Sequence, residues 1–244
     1  MNSLFKIIIS LVICYFAYRL YQQKQLNDKI KAINDNAYNQ IHVTPETVFV
    51  FDIDGVILKP DFKKMFDIVC NAPKLKLFSI LIHPRLIYHI YSLRDDETTE
   101  EVLNKILNFD PKFKSCIDIA YKLTYTKKEF PKTCALIKEL RKKNYKLLIL
   151  SNETTNGMKV LTKEHPIFNL FDDMFLTTTN DNYIKKPNPE FYKKFITWIE
   201  GKNIDPKNLI FIDDRIKNVI IANKMGIPSI VFTNINELNK ILFK

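Results

Sequence analysis

The sequence predicts an α/β fold: a Rossmann-like doubly wound parallel sheet, interrupted by an inserted helical cap and preceded by an N-terminal hydrophobic helix. Three observations carry this prediction. Residues 47–53, "YKLLILSN", "LIFIDD" and "PSIVFT" are short apolar runs with the length and β-branched composition of strands buried on both faces. Helical stretches separate the later runs, the spacing that right-handed parallel crossovers require. Polar residues gather where the runs end, and open parallel sheets bind their ligands beyond the carboxyl ends of their strands.

Taken in order, the chain starts with "MNSLFKIIISLVICYFAYRLYQQKQ", the one segment that does not read as globular. Ile7 to Tyr18 is uncharged and apolar but short for a bilayer span, whereas Lys6 and Arg19 can snorkel and extend it from Leu4 to Tyr21. A membrane anchor over residues 1–22 ranks first. A cleaved signal ranks second, because bulky Tyr15 stands where a small residue is wanted, and a packed N-terminal helix ranks third. Arg19, Lys24, Lys29 and Lys31 follow the run and only Lys6 precedes it, which places an anchored catalytic part on the cytoplasmic side. Without an anchor the protein is expected in the cytoplasm, or exported after signal cleavage. Residues 23–46, polar and holding Pro45, read as a linker.

The core is expected over 47–58 and 130–244. Its helices are signalled by "PKTCALIKELRKKN" from Pro131, "PNPEFYKKFITWIEG" ending at Gly201, and "DRIKNVIIANKMG" ending at Gly226. Proline opens the first two, and glycine closes the last two. From 59 to 129 the alternation breaks and the pattern turns helical, as in "DDETTEEVLNKILNF", where Val102, Leu103, Ile106 and Leu107 form an apolar face behind an acidic start. This is the expected cap. Pro84 and Arg85 inside its greasiest stretch argue against a second span.

Composition narrows the function less. The chain has 244 residues, enough for a sizeable core, and 37 Lys and Arg against 27 Asp and Glu give a net charge of +10. The lysines are scattered, with no arginine-rich tract or base-stacking motif, so no nucleic-acid partner is expected. Cys14, Cys70, Cys116 and Cys134 form no CxxC pair and suit no metal spacing, and reduced thiols are expected. His42, His83, His89 and His165 stand isolated and receive no role.

The chemistry gathers at four places. "VFVFDIDGVILKP" drives a strand into Asp52 and Asp54, which strand alternation would put on one side; such paired acids call for Mg2+ or a raised pKa. Gly55 lets the chain turn away. "LLILSN" ends at Ser151, a hydroxyl for a phosphoryl oxygen, followed by Asn152. "YIKKPNPEFY" sets Lys186 before a proline-started helix, where an ammonium offsets phosphate charge. "LIFIDDRIKN" ends a strand with Asp213 and Asp214, hard oxygen ligands, with Asn218 one turn later. Each has a plain structural reading too, as a cap or a solvated lysine; their order at successive strand ends gives the set its weight.

These four ordered motifs, DxDGV, strand-Ser, Lys-Pro and DDxxxN, resemble those of the haloacid dehalogenase-like hydrolases over about Thr47 to Thr233. "FIDDRIKNVIIANKMGIPSIVF" and "FPKTCALIKELRKKNYKLLILSN" are most similar to the branch with a helical cap, which includes sugar-phosphate phosphatases, β-phosphoglucomutase and the dehalogenases. The resemblance implies that Asp52 attacks phosphorus and forms an aspartyl-phosphate, while Asp54 protonates the leaving alcohol and then takes a proton from water. It implies Mg2+ on the Asp52 carboxylate, the Asp54 backbone carbonyl and the Asp214 carboxylate, with Asp213 through water or as an alternative ligand. Ser151, Asn152 and Lys186 would hold phosphate, and Asn218 would orient the metal shell.

Retention of Asp54 and of the acidic fourth motif favours a small phosphorylated metabolite over a haloacid. A mutase stays open, since it differs in how well the cap keeps water from the aspartyl-phosphate. So does a silent, membrane-tethered binding protein with this fold.

Overall fold

The computed structural model describes residues 3–71, 108, 119, 122–179 and 184–244, with residues 3–18 by backbone alone. In chain order the elements are α1 (Ser3–Gln40), β1 (Val48–Phe51), β2 (Leu58–Pro60), α2 (Phe62–Asn71), β3 (Lys127–Glu129), α3 (Pro131–Lys142), β4 (Lys146–Ser151) and α4 (Thr155–Glu164). They continue with β5 (Asp173–Leu176), α5 (Pro189–Glu200), β6 (Leu209–Asp213), α6 (Ile216–Lys224), β7 (Ser229–Val231) and α7 (Ile235–Leu242).

Five strands form one parallel sheet in the order β5-β4-β1-β6-β7. The period-two alternation of each central strand sorts its side chains onto two cores. Phe49, Phe51, Leu147, Ile149, Ile210 and Ile212 face one core, which is completed by residues of α1, α3, α4 and α7. Val48, Val50, Leu148, Leu150, Leu209 and Phe211 face the other, beneath Phe191, Tyr192, Phe195 and Ile199 of α5 and Ala222 of α6. Helices therefore cover both faces, which is why these strands read as continuous apolar runs. The chain moves from β1 out to β4 and β5, then returns to the far side of β1 for β6 and β7. The end of β1 is thus the switch point, flanked by the ends of β4 and β6.

The expected helix ends are found, with one difference. Pro131 and Pro189 stand in the first turns of α3 and α5, and Gly226 follows α6 at φ 82°. Gly201 keeps right-handed geometry at φ −59°, and the left-handed residue after α5 is Asn203 at φ 58°. Three elements carried no clear signal: α4, α7 and the short half-buried strand β5.

Residues 23–46, expected as a linker, are helical as far as Gln40 and dock on the core. Ala37 and Ile41 are buried there. Asn34 bonds twice to the outer strand: its Nδ2 donates to the Val231 carbonyl at 2.9 Å, and its Oδ1 accepts from the Val231 amide at 3.0 Å. The polar composition misled because one amide side chain here does the work of a strand neighbour. Among the described residues no helix is long and apolar enough to cross a membrane, so the expected anchor gains no support from the structure. The apolar run Ile7–Tyr18 lies among residues without described side chains.

Most of the expected cap, 72–107 and 109–118 included, lies outside the described residues. Its two connections to the core are described: β2 leaves and β3 returns, paired antiparallel with Leu58 opposite Glu129 and Pro60 opposite Lys127. Cys70 and Cys134, the cysteines with described side chains, are free.

Candidate active site

The site is built where β1, β4 and β6 end. β1 stops at Phe51, and the Asp52 amide makes one more ladder bond to the Ile212 carbonyl at 2.9 Å, which fixes Asp52 between its neighbours. Asp52 is 6% exposed. Its Oδ1 accepts from the Ile53 amide at 2.8 Å and from Lys186 Nζ at 3.0 Å, so both contacts fall on one oxygen. Burial pushes its carboxyl up to about 7; the Lys186 ammonium opposes this and the Asp213 charge adds to it.

Lys186 arrives from the loop before α5 and ends in a closed triangle of acceptors. Its Nζ donates to Asp213 Oδ2 at 2.7 Å, to the Leu150 carbonyl at 2.7 Å and to Asp52 Oδ1. An ammonium has three donors, and all three are taken. Burial would pull the lysine down, yet Asp213 and Asp52 outweigh it and hold the group above its usual value. Asn152 clamps the same residue through the backbone, accepting from the Lys186 amide at 2.7 Å and donating to its carbonyl at 3.0 Å. The Asn152 side chain is therefore committed to positioning Lys186, which leaves its backbone for the phosphate contact expected of this residue.

Asp213 is fully buried, and its oxygens accept from Lys186, from the Arg215 amide at 2.8 Å, and from Asn218 Nδ2 at 3.0 and 2.9 Å. Asn218, expected to orient a metal shell, is buried and orients Asp213, while its carbonyl accepts from the Tyr192 hydroxyl. Asp214 is exposed, and burial of its inner part followed by the charge of Asp213 raises its carboxyl. Its carboxylate lies against Gly55, where a Cβ would stand 2.2 Å from Oδ2. Gly55 also has φ 77°, so both backbone and neighbour demand glycine.

Ser151, buried at the end of β4, accepts from the Glu153 amide at 3.3 Å. The structure departs from the alternation argument for Asp54. β1 has ended before Asp52, so strand geometry does not place the two carboxylates. Asp54 lies in the turn, its side chain 57% exposed, paired through both oxygens with Lys127 Nζ at 2.8 and 3.0 Å. Lys127 was missed by sequence reasoning; 73 residues separate it from its partner, and one lysine among many carries no local signal.

A divalent cation fits the remaining groups. Asp52, Asp213 and Asp214 each bring a carboxylate oxygen within 4.8 Å of the others. Three carboxylates against one ammonium leave an excess of negative charge, and hard oxygen donors of this kind select Mg2+ or Ca2+. With Asp213 saturated by protein donors, Asp52 and Asp214 are the carboxylates open to an ion.

The end of β1 in this parallel α/β sheet thus gathers a buried acid, a pinned ammonium and an exposed carboxylate near enough to share a cation. The chain belongs to the haloacid dehalogenase-like hydrolase family, whose model matches residues 49–232. A haloacid dehalogenase family enzyme of Bacteroides thetaiotaomicron, solved as an aspartate-to-alanine mutant with magnesium and inorganic phosphate, has a similar fold: TM-score 0.54 and 22% identity over 76% of this chain and 93% of that one. The hydrolase YfnB of Bacillus subtilis, solved with magnesium, gives TM-score 0.54 and 16% identity over 80% and 98%. The sesquiterpene phosphatase astK of Aspergillus oryzae is 26% identical over 100 residues, 41% of this chain, which spans about half (48%) of that protein's length.

Proposed function

We propose that the protein is a Mg2+-dependent phosphatase that hydrolyses a phosphomonoester of a small metabolite through an aspartyl-phosphate on Asp52. The observation that carries this reading is the buried Asp52 carboxylate, held through one oxygen by Ile53 and Lys186 while Asp214 stands beside it. Matches to a phosphatase and to a magnesium- and phosphate-bound fold relative support it.

The Asp52 carboxylate, the Asp54 backbone carbonyl and the Asp214 carboxylate would hold the ion. Bound there, Mg2+ supplies charge neutralisation of the phosphoryl oxygens. Asp52 forms a bond to phosphorus as the ester P–O bond breaks, and the leaving oxygen takes a proton from Asp54. Asp54 then accepts a proton from water, whose oxygen attacks phosphorus; the Asp52–phosphorus bond breaks and inorganic phosphate leaves. The Ser151 hydroxyl steadies a phosphoryl oxygen, and Lys186 holds Asp52 in the attacking orientation and adds positive charge.

The test is turnover of p-nitrophenyl phosphate and of alkyl phosphates by the full chain with and without Mg2+. Asp52→Asn, nearly isosteric, should remove turnover with the fold intact; normal turnover by it would refute the reading. Attachment to a membrane through the N-terminal segment, with the catalytic part in the cytoplasm, rests on the sequence alone and is tested by whether the full chain fractionates with membranes.

A further inference from the structure

We infer that Lys127 is the positioning residue for the acid–base carboxyl of Asp54, fixing that group from the strand by which the chain returns from the cap. The inference rests on the reading of Asp54 given above. The two partners are unequal: the Lys127 side chain is 9% exposed and that of Asp54 is 57%. The lysine stem is packed, so its ammonium is a fixed point, and both oxygens of the exposed carboxylate close on it at 2.8 and 3.0 Å. An exposed ion pair adds little to stability, because holding two long side chains together costs entropy. When one partner is already held by packing, the consequence of the pair is where the other stands.

The backbone ties the same two segments together. The Gly55 amide donates to the Leu58 carbonyl at 2.8 Å, closing the turn that carries Asp54, and Leu58 pairs with Glu129, two residues beyond Lys127. The Phe130 amide donates to the Ile57 carbonyl at 2.9 Å. Backbone hydrogen bonds thus join the turn to the return strand, with the ion pair as the side-chain contact between them at the site. As Asp54 gives its proton to the leaving oxygen, the negative charge left behind forms beside an ammonium that needs no rearrangement to receive it.

A merely structural staple and a positioning residue differ in one readout, the dependence on leaving group. A p-nitrophenolate leaves without help from an acid, whereas an alkoxide needs the proton. The experiment compares kcat/KM of the full chain for p-nitrophenyl phosphate and for simple alkyl phosphates in Lys127→Met, Lys127→Gln, Lys127→Arg and, as reference, Asp54→Asn. Lys127→Met and Lys127→Gln should lose on the order of 10- to 100-fold on alkyl phosphates and less than about 3-fold on p-nitrophenyl phosphate, with Lys127→Arg recovering most of the loss. Gln keeps a hydrogen-bonding stem and guards against misfolding of the Met variant. Equal loss on all substrates, or none, while Asp54→Asn shows the selective pattern, overturns the inference. No selectivity in Asp54→Asn overturns the acid–base role of Asp54, and the inference with it.

Discussion

Lys186 Nζ lies 2.7 Å from Asp213 Oδ2, and the two side chains are 1% and 0% exposed. A charge so enclosed has no water to fall back on, so the pair acts as a single unit: Asp213 helps hold the lysine charged, and together they fix Asp52. Removing one member of a buried pair is costly because the other stays behind uncompensated.

Asp213→Asn should therefore destabilise the fold by about 3–5 kcal/mol, since an amide NH2 would face donors from Lys186 and Asn218. Denaturant unfolding measures this, and a shift below about 1 kcal/mol would mean that the pair is not a unit. Turnover should fall with it, because Lys186 would no longer be held against Asp52.

A second prediction concerns pH. Asp52 is raised from 3.8 to about 7, foremost by burial. Its folded value exceeds its unfolded one, so between these two values the folded protein holds an extra proton, and this group's contribution makes the cation-free protein less stable as pH rises through that window. A cation competes with that proton. Stabilisation by Mg2+ should thus grow from about pH 5 to about pH 7 and then level off, readable as the Mg2+-induced rise in Tm across buffers. A rise independent of pH would show that Asp52 binds the ion without losing a proton.

Gly55→Ala tests the approach of the first motif to the fourth. The new methyl would meet Asp214 Oδ2 at a 2.2 Å separation and sit at φ 77°, so Asp214 must move. The expected outcome is a loss of about 1–3 kcal/mol in stability together with weaker Mg2+ binding, measured by titrating activity with Mg2+. Unchanged Mg2+ dependence would exclude Asp214 as a ligand.

Asn34→Ala removes both bonds to Val231 and should cost about 1–3 kcal/mol, leaving kcat unchanged because Asn34 lies on the covered outer edge of the sheet. The comparison of Tm with kcat checks both halves.

The sequence made the sheet legible because a buried parallel strand writes itself as an unbroken apolar run, and the acids at 52, 213 and 214 stand out by ending such runs. What escaped it depends on contacts between distant residues. Asn152 and Asn218 sit beside the motifs, yet only the fold shows that they serve Lys186 and Asp213. Lys127 meets Asp54 across 73 residues, and Asn34 meets Val231 across 197. Polar composition around Asn34 suggested a free tether, since no local pattern distinguishes an amide that solvates itself from one that completes a sheet. Asp54 misled for a related reason: alternation holds only while the strand lasts, and the strand ends at Phe51.

The double bond from Asn34 to Val231 has a meaning for molecules in company. The rim of a sheet offers bare amides and carbonyls on which another copy can dock its own backbone and begin to polymerise. Here one such docking slot is filled from within, so α1 serves as a guard against self-templating as well as a support for the core.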